Sequence, residues 1–313
     1  MRLSDQHKTY LSHKSRRGSR SDHFLVANRQ AFPYHGASLM PAYSGIWIGA
    51  IGGLLLFGLE LIVSHRFGVA GGAAFPEMVP IPAGPFIMGS GDGPGDERPA
   101  HRVDLPAFSI DRTPVTNAEF AAFLNAMGPV NSKKERLFDF DDNDARIHER
   151  GDKWIADIGF ENHPVVEASW FGARDYCAWA GKRLPTEAEW EKAARGTDGR
   201  KYPWGNSPPD KTKARFHAAY NQTAPVDSFA KGASPYGLLD LAGNAWEWVS
   251  SAYLPYPYNN ADGREDLKPG PVRGTRGGGH DSPPAELTTT QRGRNLSRNF
   301  RSGHHNIGFR CAR

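Results

Sequence analysis

An apolar run at residues 46–63 constrains this chain more than any other feature of its sequence. It reads IWIGAIGGLLLFGLELIV, 18 residues with one charge, Glu60, near the far end. At about 1.5 Å per residue, a helix of that length spans roughly 27 Å, just enough to cross the hydrocarbon core of a bilayer. The apolar region of a cleaved signal peptide is usually shorter, and a buried core helix is the other alternative. We therefore expect a retained transmembrane anchor at 44–66, with cleavage near Ala73-Ala74 left open.

The charge distribution around this run predicts its orientation. Residues 1–43 carry seven Lys or Arg against two Asp, a surplus of five in a chain whose net charge is +4. The positive-inside rule then places this tail, expected to be disordered, in the cytoplasm. The predicted product is a single-pass membrane protein with its domain in the periplasm or outside the cell. Because the basic charge belongs to the tail, we expect no nucleic-acid binding by the domain.

The remainder of the chain is predicted to be a short linker, 67–76, followed by one domain, 77–313. The sequence contains 35 Gly and 24 Pro, a composition that favours many tight turns over a helical bundle. Apolar and small residues alternate from Val79 to Gly89 and again from His101 to Ile110, which predicts strands. Short strands and loops packed by tryptophans are expected after residue 200.

Three helices are predicted from residues that can cap their first turns. In a capping box, a Ser or Thr hydroxyl and a Glu carboxylate reciprocally satisfy the free amide groups at a helix start. Thr116 with Glu119 and Thr186 with Glu189 have this spacing, and Ser169 can cap a third helix. The predicted helix ends are the glycines Gly128, Gly181 and Gly196.

The acidic stretch Asp139–Asp144 resembles the first half of a calcium-binding loop. Such loops need a glycine at the sixth position and a glutamate at the twelfth, and this chain has Asp144 and Arg150 there. The sequence therefore favours a solvated acidic loop over a calcium site in this segment.

Ten short motifs in a fixed order resemble the formylglycine-generating-enzyme family, also called sulfatase-modifying factors. The most specific of them is GNAWEW at Gly243–Trp248. Others are PIPAGPFIMG at 80–89, ERPAHRV at 97–103, PVTNAEF at 114–120, HPVV at 163–166, CAWAGKRLPTEAEWE at 177–191, PWGN at 203–206 and NIGFRC at 306–311. The resemblance covers about 235 residues. It implies a single α+β domain of the family's C-type-lectin-like fold, with little regular secondary structure.

The same resemblance implies a structural calcium ion and a disulfide. The calcium ligands would be the side chains of Asp240 and Glu247 and the backbone carbonyls of Gly243 and Ala245. A capped turn in which Glu247 pairs with an Arg is the alternative. A second calcium site of the family is expected to be empty here, because Arg215 replaces a ligand. Cys177 and Cys311, the two cysteines of the chain, match a disulfide of secreted relatives, with two buried free thiols as the alternative.

The resemblance does not extend to the copper chemistry of the active enzymes. Those enzymes bind copper with two thiolates, soft ligands that select Cu(I). A gapless count from the Gly-rich segment 276–280 puts Ser282 and Leu287 at the two positions. Copper is therefore not expected as a cofactor.

Other residues near the equivalent cleft are candidates for a different activity. His280, Asp281 and Glu286 are weak candidates for acid–base or metal chemistry, with plain surface groups as the alternative. Four arginines are candidates for binding an anionic ligand or a peptide carboxylate, with solvated arginines packing on tryptophans as the alternative. They are Arg292, Arg294, Arg298 and Arg301.

Three functions remain from the sequence. The first is a membrane-tethered accessory or maturation protein that binds another extracytoplasmic or membrane protein and does not oxidise cysteine. The second is an enzyme of the same fold with non-cysteine chemistry on a peptide or secondary metabolite, as in relatives from siderophore maturation. The third is a lectin-like ligand-binding module.

Overall fold

In this computed structural model, the described residues are 75–268, 272–293 and 299–313. The predicted tail, anchor and most of the linker lie outside these residues, as do Arg294 and Arg298. Within the described part of the chain, no helix has the length and apolar character needed to cross a membrane.

The first four strands form two antiparallel pairs. Strand β1 (Met78–Ile81) pairs with β4 (Phe108–Asp111), and β2 (Gly84–Met88) pairs with β3 (His101–Leu105). The alternating stretch that begins at Val79 is therefore two strands with different partners. The chain turns between them at Gly84, whose φ of +119° favours glycine.

The three helices begin where the capping residues predict. They are α1 (Asn117–Met127), α2 (Trp170–Trp179) and α3 (Glu187–Arg195). Both capping boxes are formed, and the Ser169 hydroxyl accepts a hydrogen bond from the amide of Gly172. The predicted ends of α1 and α3 are confirmed at their C-cap glycines, whereas α2 ends before Gly181, with Ala180 as its C-cap.

The remaining strands form a hairpin and a three-stranded sheet. The hairpin joins β5 (Ile147–Arg150) to β6 (Lys153–Ala156). In the sheet, β7 (Trp246–Ala252) lies between an antiparallel partner, β8 (Arg273–Arg276), and a parallel partner, β9 (Ile307–Phe309). Every residue of β7 is buried, so the GNAWEW motif leads directly into the centre of the domain.

The main hydrophobic core lies where α1, α2 and the three-stranded sheet meet. Aromatic rings fill it, with Phe120 and Tyr176 each packing against Phe309. A second cluster around Trp190 joins α3 to β1 and β4. These small sheets and short helices are the α+β architecture that the sequence predicted.

Candidate functional site

The disulfide is present between Cys177 of α2 and Cys311, with an S–S distance of 2.07 Å. It joins residues 134 positions apart in the sequence and both cysteines are fully buried. Since the chain has only these two cysteines, no thiol is left for binding a metal.

The four predicted calcium ligands are all buried: Asp240, Gly243 and Ala245 lie in the loop before β7, and Glu247 lies in β7 itself. Asp240 is 5% exposed; its Oδ2 accepts from the amide of Asp227 at 3.3 Å, and its Oδ1 has no partner. Burial raises the pKa of Asp240 to about 7. Gly243 has φ +79°, and a Cβ there would meet the carbonyl oxygen of Arg215 at 2.3 Å. The unpartnered oxygen of Asp240 fits a cation that would compensate its charge.

Glu247 has partners of its own within the protein. Its Oε1 accepts from Arg310 Nη2 at 2.7 Å, and its Oε2 accepts from Arg310 Nε and Trp190 Nε1, each at 2.7 Å. The Arg pairing considered as the alternative is therefore formed. An ion at this turn would have to share the carboxylate with Arg310, so calcium here stays a prediction, carried by Asp240 and the backbone carbonyls.

Arg215, the residue that replaces a ligand of the family's second calcium site, is hydrogen-bonded to Gln222. The guanidinium of Arg215 donates to the carbonyl oxygen of Gln222 at 2.9 Å and to its side-chain oxygen at 3.1 Å. The carbonyl oxygen of Arg215 accepts from the amide of Asn244, so its backbone supports the GNAWEW turn.

A cleft beside β7 contains several of the predicted site residues. It has a volume of about 550 Å³ and is called the Trp246 cleft here. Its polar lining consists of Asp281, Ser282, Glu286, Gln291, Arg292 and Asn306. Sequence reasoning missed Trp246, Gln291 and Asn306, although Trp246 and Asn306 lie in motifs that carried the resemblance.

Two hydrogen-bonded pairs supply the chemistry of the Trp246 cleft. Asp281 accepts from Asn306 Nδ2 at 3.1 Å and lies 3.2 Å from His305 Nε2. The hydrogen bond with His305 leads the interactions that lower the pKa of Asp281 to about 2. The Ser282 hydroxyl donates to Glu286 at 2.9 Å. The lining of the cleft thus presents two carboxylates and two amides, and it contains no thiol or thioether.

His280 and Leu287 do not line the Trp246 cleft. His280 is fully buried, and its Nδ1 lies 3.1 Å from the carbonyl oxygen of Asn244, so that nitrogen carries the proton. Its Nε2 has no partner, and burial lowers the pKa of the ring. Leu287 packs into an apolar cluster with Tyr202 and Phe216. Of the two residues at the copper positions, only Ser282 reaches the cleft.

Of the four arginine candidates, the structure describes Arg292 and Arg301. The guanidinium of Arg292 is 1% exposed and pairs with Glu187, its Nε 2.7 Å from Oε1 and its Nη2 3.0 Å from Oε2. Its charge is therefore compensated inside the protein. Arg301 is exposed beside the ring of Phe300.

Comparisons with known proteins agree with this fold. Residues 67–313 match the family described as sulfatase-modifying factor enzyme 1-like domain. Formylglycine-generating enzyme of Streptomyces coelicolor is 38% identical over 281 residues, covering 75% of this chain and 88% of that enzyme. Among solved structures, PvdO from Pseudomonas aeruginosa has a TM-score of 0.57 and 29% identity, covering 76% of this chain and 94% of that one.

A second kind of relative carries the domain as part of a longer protein. Serine/threonine-protein kinase Pkn1 of Chlamydia trachomatis is 40% identical over 243 residues. The match covers 76% of this chain and 38% of that protein, so the chain spans well under half of its length. The similarity therefore concerns one domain of the kinase.

Proposed function

Residues 67–313 belong to the sulfatase-modifying factor family, and on that premise we propose a function without cysteine oxidation. The chain is a membrane-tethered accessory or maturation protein that binds an extracytoplasmic or membrane partner through the Trp246 cleft. The observation that carries this proposal is the absence of any thiol for Cu(I), since both cysteines of the chain form the disulfide.

The polar groups of the Trp246 cleft support recognition of a hydrogen-bond-donating or basic peptide segment. Asp281 and Glu286 are acceptors, and the charge of Arg292 is already neutralised by Glu187. A ligand that buries these carboxylates must supply donors in return, because an unpaired buried charge is costly. An extended segment with Lys or Arg and free backbone amides has that chemistry, whereas an anionic ligand does not.

The proposal that this chain does not oxidise cysteine is tested by an oxidation assay. The purified chain is incubated with copper and a peptide that carries the cysteine motif of a sulfatase, and aldehyde is measured by mass spectrometry. We expect none, while the Streptomyces coelicolor enzyme under the same conditions forms it. Aldehyde formation by this chain would refute the proposal.

Partner binding is tested at the Trp246 cleft with matched substitutions. Ala285 lines the cleft and is exposed, whereas Ala261 is exposed and is not among its lining residues. In living cells, a photo-crosslinking residue at Gln291 should capture one defined protein. Ala285→Trp should abolish capture, and Ala261→Trp should not. Equal capture by both Trp variants would place the binding surface elsewhere.

The membrane tether is tested by fractionation. The full chain should remain in the membrane pellet after carbonate extraction, and deletion of 46–63 should release it. Protease added to spheroplasts should degrade the domain but not a tag fused to the N-terminus. Protection of the domain would reverse the proposed orientation.

One observation favours an enzyme as the second candidate. Asp281 and His305 form a carboxylate–imidazole pair at the edge of the Trp246 cleft, an arrangement suited to proton transfer. In this alternative the captured partner is chemically altered. Asp281→Asn should then abolish the change in mass even in the partner molecules that are still captured. A partner whose mass still changes with Asp281→Asn would exclude a proton-transfer role for Asp281.

A further inference from the structure

Three carboxylates outside the Trp246 cleft converge on one point. Oxygens of Asp142, Asp144 and Glu167 all lie within 4.8 Å of one another. Asp142 and Asp144 belong to the acidic stretch before β5, and Glu167 follows the HPVV motif. None of them is among the ligands that the family resemblance implies.

Glu167 is the unusual member of this acidic cluster, defined as Asp142, Asp144 and Glu167. It is 2% exposed, yet its carboxylate has no hydrogen bond or ion pair within the described structure. Burial, and then the charges of Asp142, Asp139 and Asp144, raise its pKa to about 8. A buried carboxylate facing only other carboxylates is unfavourable unless a cation is bound between them.

The surrounding contacts position the cluster without neutralising it. Tyr220 donates from Oη to Asp144 Oδ2 at 2.5 Å, and Asn221 donates from Nδ2 to Oδ1 at 3.1 Å. The backbone of Glu167 is held in a left-handed conformation, φ +62°, by hydrogen bonds with His304 and Asp139. The cluster is thus held in place from several segments.

The neighbouring cation does not compensate the cluster. The guanidinium of Arg136 is paired with Asp139 at 2.9 Å and with Asp141. Those two pairs already match one positive charge with two negative charges. The carboxylates of Asp142, Asp144 and Glu167 therefore remain in excess.

We propose that Asp142, Asp144 and Glu167 bind a calcium ion. A ligand set made only of carboxylate oxygens suits a hard divalent cation, whereas zinc prefers nitrogen and sulfur ligands, which this set lacks. Glu167 supplies the distant carboxylate that the loop itself lacks at Arg150. This site is separate from the turn at Asp240.

Calcium here would connect the loop to the Trp246 cleft. Tyr220, which donates to Asp144, packs its ring on His305 with a centroid distance of 4.1 Å. His305 in turn contacts Asp281 at 3.2 Å. The cation would therefore fix one side of the cleft through Tyr220.

The test uses calcium and terbium titrations of the purified full-length chain. Terbium luminescence excited through Tyr220 and calorimetry with calcium report binding. Glu167→Gln and Asp142→Asn should each weaken this site at least about tenfold, since each removes a charged ligand. Asp141→Asn, in the same loop but paired with Arg136, should bind as the wild type does. Asp240→Asn alters the calcium site that the family resemblance implies. It should leave calcium binding at the acidic cluster unchanged.

A thermal measurement distinguishes a ligand from a structural carboxylate. In EDTA, Glu167→Gln should melt at the same temperature as the wild type or higher, because the substitution removes a buried carboxyl that has no partner. With calcium, the wild type should gain stability that the variant does not. Unchanged calcium titrations in both Glu167→Gln and Asp142→Asn, or loss of all calcium binding in Asp240→Asn alone, would overturn the proposal.

Discussion

At the scale of single residues, the domain is organised by charges that are buried and paired. Glu187 is fully buried and accepts from Arg276 at 3.0 Å and from Arg292 at 2.7 Å. Glu191, one turn further along α3, accepts from Arg276 and Arg195. All residues of α3 are buried although the helix is polar, because these pairs compensate its charges.

Removing the charge of Glu187 should destabilise the protein strongly. Glu187→Gln leaves two guanidinium groups buried with less compensation, which typically costs about 3–5 kcal/mol. Urea unfolding followed by tryptophan fluorescence measures the loss. The control is Asp104→Asn, which breaks the exposed pair with Arg102 and should leave the unfolding midpoint unchanged. A loss for Glu187→Gln no larger than that of the control would contradict this account.

The buried imidazole of His280 should contribute to the acid sensitivity of the fold. Burial keeps its pKa below the ordinary value of 6.5, so the unfolded chain takes up the proton first as the pH falls. Stability should therefore decline below pH 6.5, by at most about 1.4 kcal/mol per pH unit from this group.

The variant His280→Gln isolates that contribution. It cannot titrate, so its stability relative to the wild type should improve between pH 6.5 and pH 5. Other histidines act equally in both proteins and cancel in the difference. Parallel stability curves across that range would show that His280 has no part in the acid response.

At the scale of elements, local capping fixes where the helices start. The Thr186 hydroxyl accepts from the amide of Glu189 at 3.1 Å, and the Glu189 carboxylate accepts from the amide of Thr186 at 2.8 Å. Such reciprocal bonds involve residues three positions apart, so their pattern is visible in the sequence. Helix α3 carries Glu187 and Glu191, so the cap also sets the position of the buried charges.

Loss of this cap should cost a moderate amount of stability. Thr186→Ala should lower the free energy of unfolding by about 1 kcal/mol, within the usual range for an N-cap. Thr197→Ala lies just beyond the C-cap of the same helix and is exposed, so it is the matched control. Thermal unfolding of both variants measures the difference. Coinciding midpoints would contradict the role of the cap.

At the scale of the whole molecule, the disulfide ties α2 to the end of the chain. The chain-entropy estimate for a closed loop of this length is about 5 kcal/mol, and measured values are often lower. The variant Cys177→Ala with Cys311→Ala should therefore lose about 2–5 kcal/mol.

Reduction of the wild type is the internal control for that prediction. A reducing agent should lower the melting temperature of the wild type and leave that of the double variant unchanged. An equal response of both proteins would mean that the disulfide does not contribute to the folded state.

The sequence by itself determined the features that depend on neighbouring residues or on an ordered set of motifs. The capping boxes, the glycine ends of α1 and α3 and the absence of a thiol pair at 282 and 287 follow from residue identity and spacing. The ordered motifs gave the fold family, and the cysteines at 177 and 311 matched its disulfide. All of these are readable because each rests on a short segment or on a match to a family.

The tertiary structure decided which side chains meet across long distances. Arg292 reads as a free cation in the sequence, yet it pairs with Glu187, 105 residues earlier. The sequence around Glu167 does not predict a site. Folding buries Glu167 beside Asp142 and Asp144, and only that placement indicates one. The interaction energy and the pKa of a charged group depend on its burial and its partners. Packing sets both, and sequence spacing does not reveal them.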